Sequence, residues 1–142
     1  MKLNLSSFFL LGAAALLFGS AAQAQTVNLR AQIPFDFVVG DKVYPAGEYA
    51  VKTTGVHSYM LSIANRNIDK SGLTLPYLIT SGKPAEHSAL FFRRIGDAYV
   101  LSQLWAEGNC VGLEFPHSRV EIRLAMNSSK PETFIVAANI VQ

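Results

Sequence analysis

His57, His87 and His117 recur every 30 residues and each is followed by serine. That spacing invites either a three-imidazole metal centre or an internal repeat. A zinc site needs its imidazoles to converge tetrahedrally, each steadied by a second hydrogen bond. The flanks Tyr59-Met60-Leu61, Ala89-Leu90-Phe91 and Arg119-Val120-Glu121 share nothing beyond apolar content, far less than a repeat architecture requires. Each histidine follows a turn and opens an element, where an imidazole is simply solvated. No metal and no cofactor is expected.

The other reactive groups are equally isolated. Cys110 is the only cysteine. With no histidine beside it to hold a thiolate, it reads as a small residue of the loop Gly108-Asn109-Cys110-Val111-Gly112. Asp36 and Glu48 would make an acid/base pair only if their strands met with both carboxylates facing one cleft. Alternation places Phe35, Phe37 and Tyr49 inward and both carboxylates toward solvent. There is no His-Glu-x-x-His, no Gly-x-Ser-x-Gly and no phosphate-cradling glycine loop, so no catalytic residues are assigned and the chain is read as non-catalytic.

Three residues remain as ligand-contact candidates: Trp105, Tyr99 and Arg94. Trp105 ends an apolar strand just before Gly108, where a half-exposed indole can stack on a sugar or an apolar ligand. Arg93 and Arg94 point to opposite faces of a strand, which halves any basic patch. Arg94 opposite Tyr99 reads as a cross-strand cation–π pair. Twelve Lys+Arg against ten Asp+Glu give a net charge of +2, too little for a nucleic-acid partner. Protein, glycan or a small apolar ligand remain as partner classes.

The elements that must position these residues are strands. Ile33, Phe35, Phe37 and Val39 alternate through Gln32 to Val39, predicting one strand. Gly40-Asp41 then suits a two-residue type II′ turn that sets Val38 opposite Val43. Pro45-Ala46-Gly47 delivers a strand with Tyr49 and Val51 inward, and Tyr59, Leu61 and Ile63 mark the next. Leu73 to Thr80, interrupted by Pro76, reads as an edge strand. The clearest hairpin runs Ala89 to Ile95, Gly96-Asp97, Ala98 to Trp105. Its turn sets Ile95 opposite Ala98, Arg94 opposite Tyr99, Arg93 opposite Val100 and Phe92 opposite Leu101. Leu90, Phe92, Leu101 and the Tyr99 ring then share one face, with Phe91, Val100 and Leu104 on the other. Both faces are apolar, so this hairpin is expected to be central and covered on both sides, while Arg93 is expected to contribute little to stability.

Ser118-Arg119-Val120-Glu121 matches a helix capping box, yet Val120, Ile122 and Leu124 alternate as in a strand. A short helix over 119–126 is the preferred reading, with a strand left open. Thr133 to Gln142 closes the chain as a strand with Phe134, Val136, Ala138 and Ile140 on one face. The sum is an all-β, mostly antiparallel single domain, a small β-sandwich or partly closed barrel.

Ile33-Pro34-Phe35-Asp36-Phe37-Val38-Val39-Gly40, Tyr44-Pro45-Ala46-Gly47-Glu48-Tyr49 and the run Phe92 to Trp105 resemble a family of small exported β-rich proteins of acidobacteria and related soil bacteria. The resemblance covers most of residues 30–125. It implies an exported bacterial protein with a short helix beginning at Ser118 and Glu121. That family has no established activity, so it brings no mechanism.

Residues 1–24 read as a secretory signal peptide: Lys2, the apolar run Phe8 to Phe18, then Ala22-Gln23-Ala24. The run is about half the roughly 20 residues a spanning helix needs. Residues 25–142 are then a periplasmic or extracellular domain, not membrane-spanning once the leader is cut. Its strands of four to six residues are also short for an outer-membrane barrel, which uses about 9–11 per crossing. The leading functional expectation is an exported binding, envelope-associated or structural module. The alternative is a barrel-type carrier with an apolar cavity of at least about 300 Å³, and an enzyme of unrecognised class comes third. N-terminal sequencing of the exported protein should begin at Gln25; a soluble cytosolic product beginning at Met1 would contradict the export assignment.

Overall fold

The computed structural model describes residues 27–54, 60–127 and 130–141. The leader at 1–24, the expected terminus Gln25, His57 and Tyr59 lie outside these residues.

Prolines decide where the chain changes sheet. β1 (Asn28–Ile33) buries Leu29, Ala31 and Ile33 in strict alternation. Pro34 then offers no N–H to a ladder, and the chain leaves that sheet for β2 (Phe37–Val39) in another. The single strand expected over 32–39 is therefore two, with Phe35 half-buried in the crossing. Asp36 Oδ1 braces the crossing by accepting from the Ala46 N–H at 2.8 Å. Gly40, at φ 62°, turns β2 into β3 (Lys42–Tyr44) with Val38 opposite Val43 as expected. Pro45 marks the return to β4 (Gly47–Thr54), which pairs along β1 from Asn28↔Lys52 to Ile33↔Gly47. β5 (Met60–Asn65) and β6 (Ser71–Thr74) follow in the same sheet. Pro76 marks the next crossing, so the expected edge strand over 73–80 is again two: β6 and β7 (Tyr77–Thr80), each at the edge of its own sheet.

The chain then builds most of the second sheet: β8 (Ala89–Ile95), β9 (Ala98–Trp105), β10 (Val111–Glu114), the helix α1 (Arg119–Met126) and β11 (Glu132–Ala137). At buried Ala138, whose N–H donates to Ser88 O at 2.9 Å, it returns to the first sheet as β12 (Asn139–Ile140). The closing strand expected from Thr133 onward is thus divided. Phe134 and Val136 pack on the core while Ile140, in the other sheet, is exposed.

The result is a β-sandwich that is not closed into a barrel. The five-stranded sheet is antiparallel in the order β12-β1-β4-β5-β6. The seven-stranded sheet runs β11-β8-β9-β10-β7, with β2 parallel to β9 and β3 outside β2. Leu29, Ile33, Tyr49, Val51, Leu61 and Ile63 from the first meet Phe37, Leu90, Phe92, Leu101, Leu104 and Leu113 from the second. Phe37 is the hub of the aromatic contacts, with ring centroids 5.4 Å from Tyr44, 5.0 Å from Tyr49 and 5.5 Å from Phe92. The Tyr49 hydroxyl donates to Pro45 O at 2.6 Å, satisfying a polar atom that burial would otherwise penalise. Burial pushes the Tyr44 and Tyr49 phenols above their usual range, with a hydrogen bond from Asn65 partly offsetting the rise at Tyr49.

The β8–β9 hairpin keeps the expected register from Ile95↔Ala98 to Phe92↔Leu101. Beyond it the two strands slip by one residue: Phe91 faces Gln103 and Leu90 faces Leu104, leaving Ser102 as the extra residue of a β-bulge. Ser102 Oγ donates to Phe91 O at 2.9 Å and Ser102 O accepts the Phe115 N–H at 2.9 Å. Leu104 consequently lies with Leu90 in the core and not with Phe91 and Val100, correcting the unbulged assignment.

Both faces of the hairpin are covered near its turn. The inner face meets the other sheet, and on the outer face Leu124 of α1 packs on Val38, Ile95 and Val100. Residues 119–126 are helical because Ser118 Oγ accepts the Glu121 N–H at 3.0 Å, giving the backbone a cap no strand would use. Glu121 spends its carboxylate elsewhere than the expected reciprocal cap. Its Oε1 lies 3.0 Å from His117 Nδ1 and 3.1 Å from Arg93 Nη2. The arginine contact is an ion pair without hydrogen-bond alignment, since Arg93 Nη2 makes no hydrogen bond. Arg93 therefore offsets a buried charge and is not the dispensable surface residue expected from alternation. Among the described residues, no helix is long and apolar enough to cross a membrane.

Urea denaturation should show Phe92→Ala losing about 3–5 kcal/mol through the cavity it leaves. Arg93→Ala should lose about 3 kcal/mol by stranding the Glu121 carboxylate. Arg66→Ala, which breaks only the exposed 3.3 Å pair with Glu48, should stay within about 1 kcal/mol of the parent. Equal losses for Phe92→Ala and Arg66→Ala would show the core to be wrongly placed.

Candidate functional site: an aromatic and polar sheet face

The Ser102 bulge turns Gln103 and Trp105 to the outer face of the seven-stranded sheet, because side chains on either side of it return to strict alternation. Across that face the strands align Ile135, Phe91, Gln103, Glu114 and Tyr77 in one row from β11 to β7. The adjacent row runs Ala137, Ala89 and Trp105, with Gly112 and Ile79 opposite each other beyond it. α1, the one helix among the described residues, packs on Val38, Ile95 and Val100 at the other end of the sheet. Tyr77 and Ile135 remain 65% and 63% exposed, and Phe91, Ile79, Gln103, Trp105 and Glu114 are half-buried.

Trp105 lies flat against the sheet. A Cβ on Gly112 would stand only 2.6–2.8 Å from three indole carbons, so glycine is required there for room. One ring face is pressed on backbone. The ring edge is tethered: Trp105 Nε1 donates to Gln103 Oε1 at 3.2 Å, and Gln103 Nε2 donates to Glu114 Oε1 at 3.4 Å. This relay leaves further lone pairs on the Glu114 carboxylate. The two rows hold one carboxylate and no lysine or arginine. Arg93, in the neighbouring row opposite Thr133 and Val100, already faces Glu121 and His117, with its Nη1 3.3 Å from His117 Nε2. The face thus offers a flat ring, hydrogen-bond acceptors and no free cation.

No family model, no curated protein and no solved structure matches this chain.

The three candidate contacts do not form one site. Tyr99 points into the sandwich, stacked 3.9 Å from Phe35 and edge-on to Phe134 at 5.2 Å. Arg94 lies 5.9 Å from the Tyr99 ring and its Nε donates to Gly96 O at 3.0 Å. That pair closes the margin of the core. Trp105 is on the opposite face, because the extra residue reverses the parity between positions 99 and 105. The other chemical candidates are also apart. His87 is exposed, His117 is held by Glu121, Cys110 is an exposed free thiol, and Asp36 and Glu48 serve the Ala46 N–H and Arg66. Among the described residues, no three His, Cys, Asp or Glu side chains gather as metal ligands. An open groove of about 700 Å³ on the five-stranded sheet, lined by Arg30, Gln32, Glu48 and Asn139 among others, carries no aromatic ring to hold a ligand.

Gln103, Glu114, Tyr77, Phe91 and Gly112 were not legible as site residues. Their association depends on the pairing of β7 with β10 and on the bulge, neither of which leaves a local signature. Trp105 is the sole tryptophan, so fluorescence reports on this face alone. Gly112→Ala should lift the indole into water and move its emission to longer wavelength; an unchanged spectrum in a folded variant would show that the ring does not rest on Gly112.

Proposed function

We propose that this chain is an exported, non-catalytic β-sandwich module that binds its ligand on the outer face of the seven-stranded sheet around Trp105. The observation that carries the reading is the half-exposed indole, held flat by Gly112 and tethered through Gln103 to Glu114. A ring fixed in this way has little rotamer freedom left to lose when a ligand settles on it, so its contact area converts efficiently into affinity. Buried tryptophans that serve only the core turn inward; this one is directed away from it.

The non-catalytic part follows from the chemistry of the face. In the two rows Glu114 has no serine, threonine, cysteine, lysine or histidine beside it. The second titratable group is the exposed phenol of Tyr77 opposite it on β7, and a carboxylate facing a solvent-exposed phenol lacks the nucleophile and oriented base that catalysis needs. Export rests on Lys2, the run Phe8 to Phe18 and Ala22-Gln23-Ala24, together with the resemblance to exported acidobacterial proteins.

The test is co-sedimentation of the purified domain with the insoluble envelope fraction of its producing bacterium. The parent and Arg66→Ala, which lies on the other sheet, should be retained alike. Trp105→Ala should be retained about tenfold more weakly while still folded at the assay temperature, as judged by its circular dichroism. Equal retention of Trp105→Ala, or no retention of the parent, would defeat the proposal.

A further inference from the structure

We infer that the ligand of this face is a neutral polysaccharide, with a pyranose ring stacked on the outer side of Trp105 and its hydroxyls bonded to Glu114 and Gln103. The inference rests on the binding-module reading and adds the chemical class to it. A pyranose presents C–H groups on its faces and hydroxyls around its rim. The sheet presents the matching arrangement, a flat indole face with a carboxylate and an amide beside it in the adjoining row.

Charge separates this ligand from its rivals. An anionic polymer, nucleic acid included, would meet Glu114 with no free lysine or arginine in either row, since the nearest guanidinium, Arg93, already faces Glu121. An apolar protein surface would strip water from the Glu114 carboxylate and give it no hydrogen-bond donor in return, which is unfavourable. Neutral hydroxyls donate to that carboxylate and leave it compensated. The geometry also favours a polymer over a single sugar. Tyr77, 65% exposed, lies two strand spacings from Gln103 across β10, about 10 Å. That reach extends beyond one ring and gives a neighbouring residue of the chain a second aromatic surface.

The test repeats co-sedimentation with the producing bacterium's envelope fraction in three forms: untreated, digested with proteinase K, and oxidised with periodate, which cleaves the vicinal diols of sugars. Retention of the parent should survive proteinase digestion and about 0.5 M NaCl, and disappear after periodate. Trp105→Ala should lose retention about tenfold, and Tyr77→Ala, an exposed change that spares the fold, by a smaller factor. Trp105-dependent retention that survives periodate and is lost after proteinase would overturn the polysaccharide while leaving the module standing. Trp105-dependent retention released by salt would overturn its neutrality. Retention indifferent to Trp105, or none to the untreated fraction, would bring down both readings.

Discussion

One extra residue in β9 governs how this sandwich divides its side chains between core and surface. Up to Phe92↔Leu101 the hairpin alternates without interruption; after Ser102 the pattern resumes with reversed parity. Leu104 thereby joins Leu90 and Leu113 inside, and Trp105 is turned outward over Gly112. Without the bulge, the β8–β9 pair would bury Trp105 and present Leu104 to solvent. Ser102 is suited to the position because its hydroxyl can satisfy Phe91 O across the disrupted ladder, and an unpaired carbonyl in that setting would be costly.

The rest of the architecture is arranged around the core that this register creates. The chain moves between the sheets four times, and three of these crossings fall at Pro34, Pro45 and Pro76. Each proline interrupts the ladder at the point where the strand must leave it. The crossings bring β2 alongside β9 and so place Phe37 among Tyr44, Tyr49 and Phe92. The edge-on contacts of Phe37 with Tyr49 and Phe92 and its stack on Tyr44 add directional preference to area burial, which helps fix how the two sheets sit on one another.

The outer face of the seven-stranded sheet is divided between two treatments. Near the hairpin turn it is closed by α1, whose Leu124 packs on Val38, Ile95 and Val100 and whose Glu121 is held by Arg93 and His117. Toward Trp105 it stays open, with its polar groups linked side chain to side chain. The one cation between the two halves is engaged by the helix, so the closed half also sets the electrostatic character of the open half. That coupling makes the face acceptor-rich and free of positive charge.

Much of the fold is legible in the order of residues because period-two alternation and turn chemistry are local. Gly40-Asp41 and Gly96-Asp97 specify two-residue turns, and those turns carry the register of Val38↔Val43 and of Ile95↔Ala98 through Phe92↔Leu101. Ser118 caps its helix through a bond spanning only three residues. The candidate site was legible only as Trp105. Its companions on β7 and β10 are joined to it by hydrogen bonds between strands, and alternation says which residues share a face of one strand but not which strands lie side by side. The separation of Trp105 from Tyr99 and Arg94, the reversal at Ser102 and the engagement of Arg93 by Glu121 were decided by tertiary structure. A bulge and a buried ion pair take their stability from partners on other elements, and although prolines mark three of the four crossings, a single segment does not say which strand the chain will pair with after it.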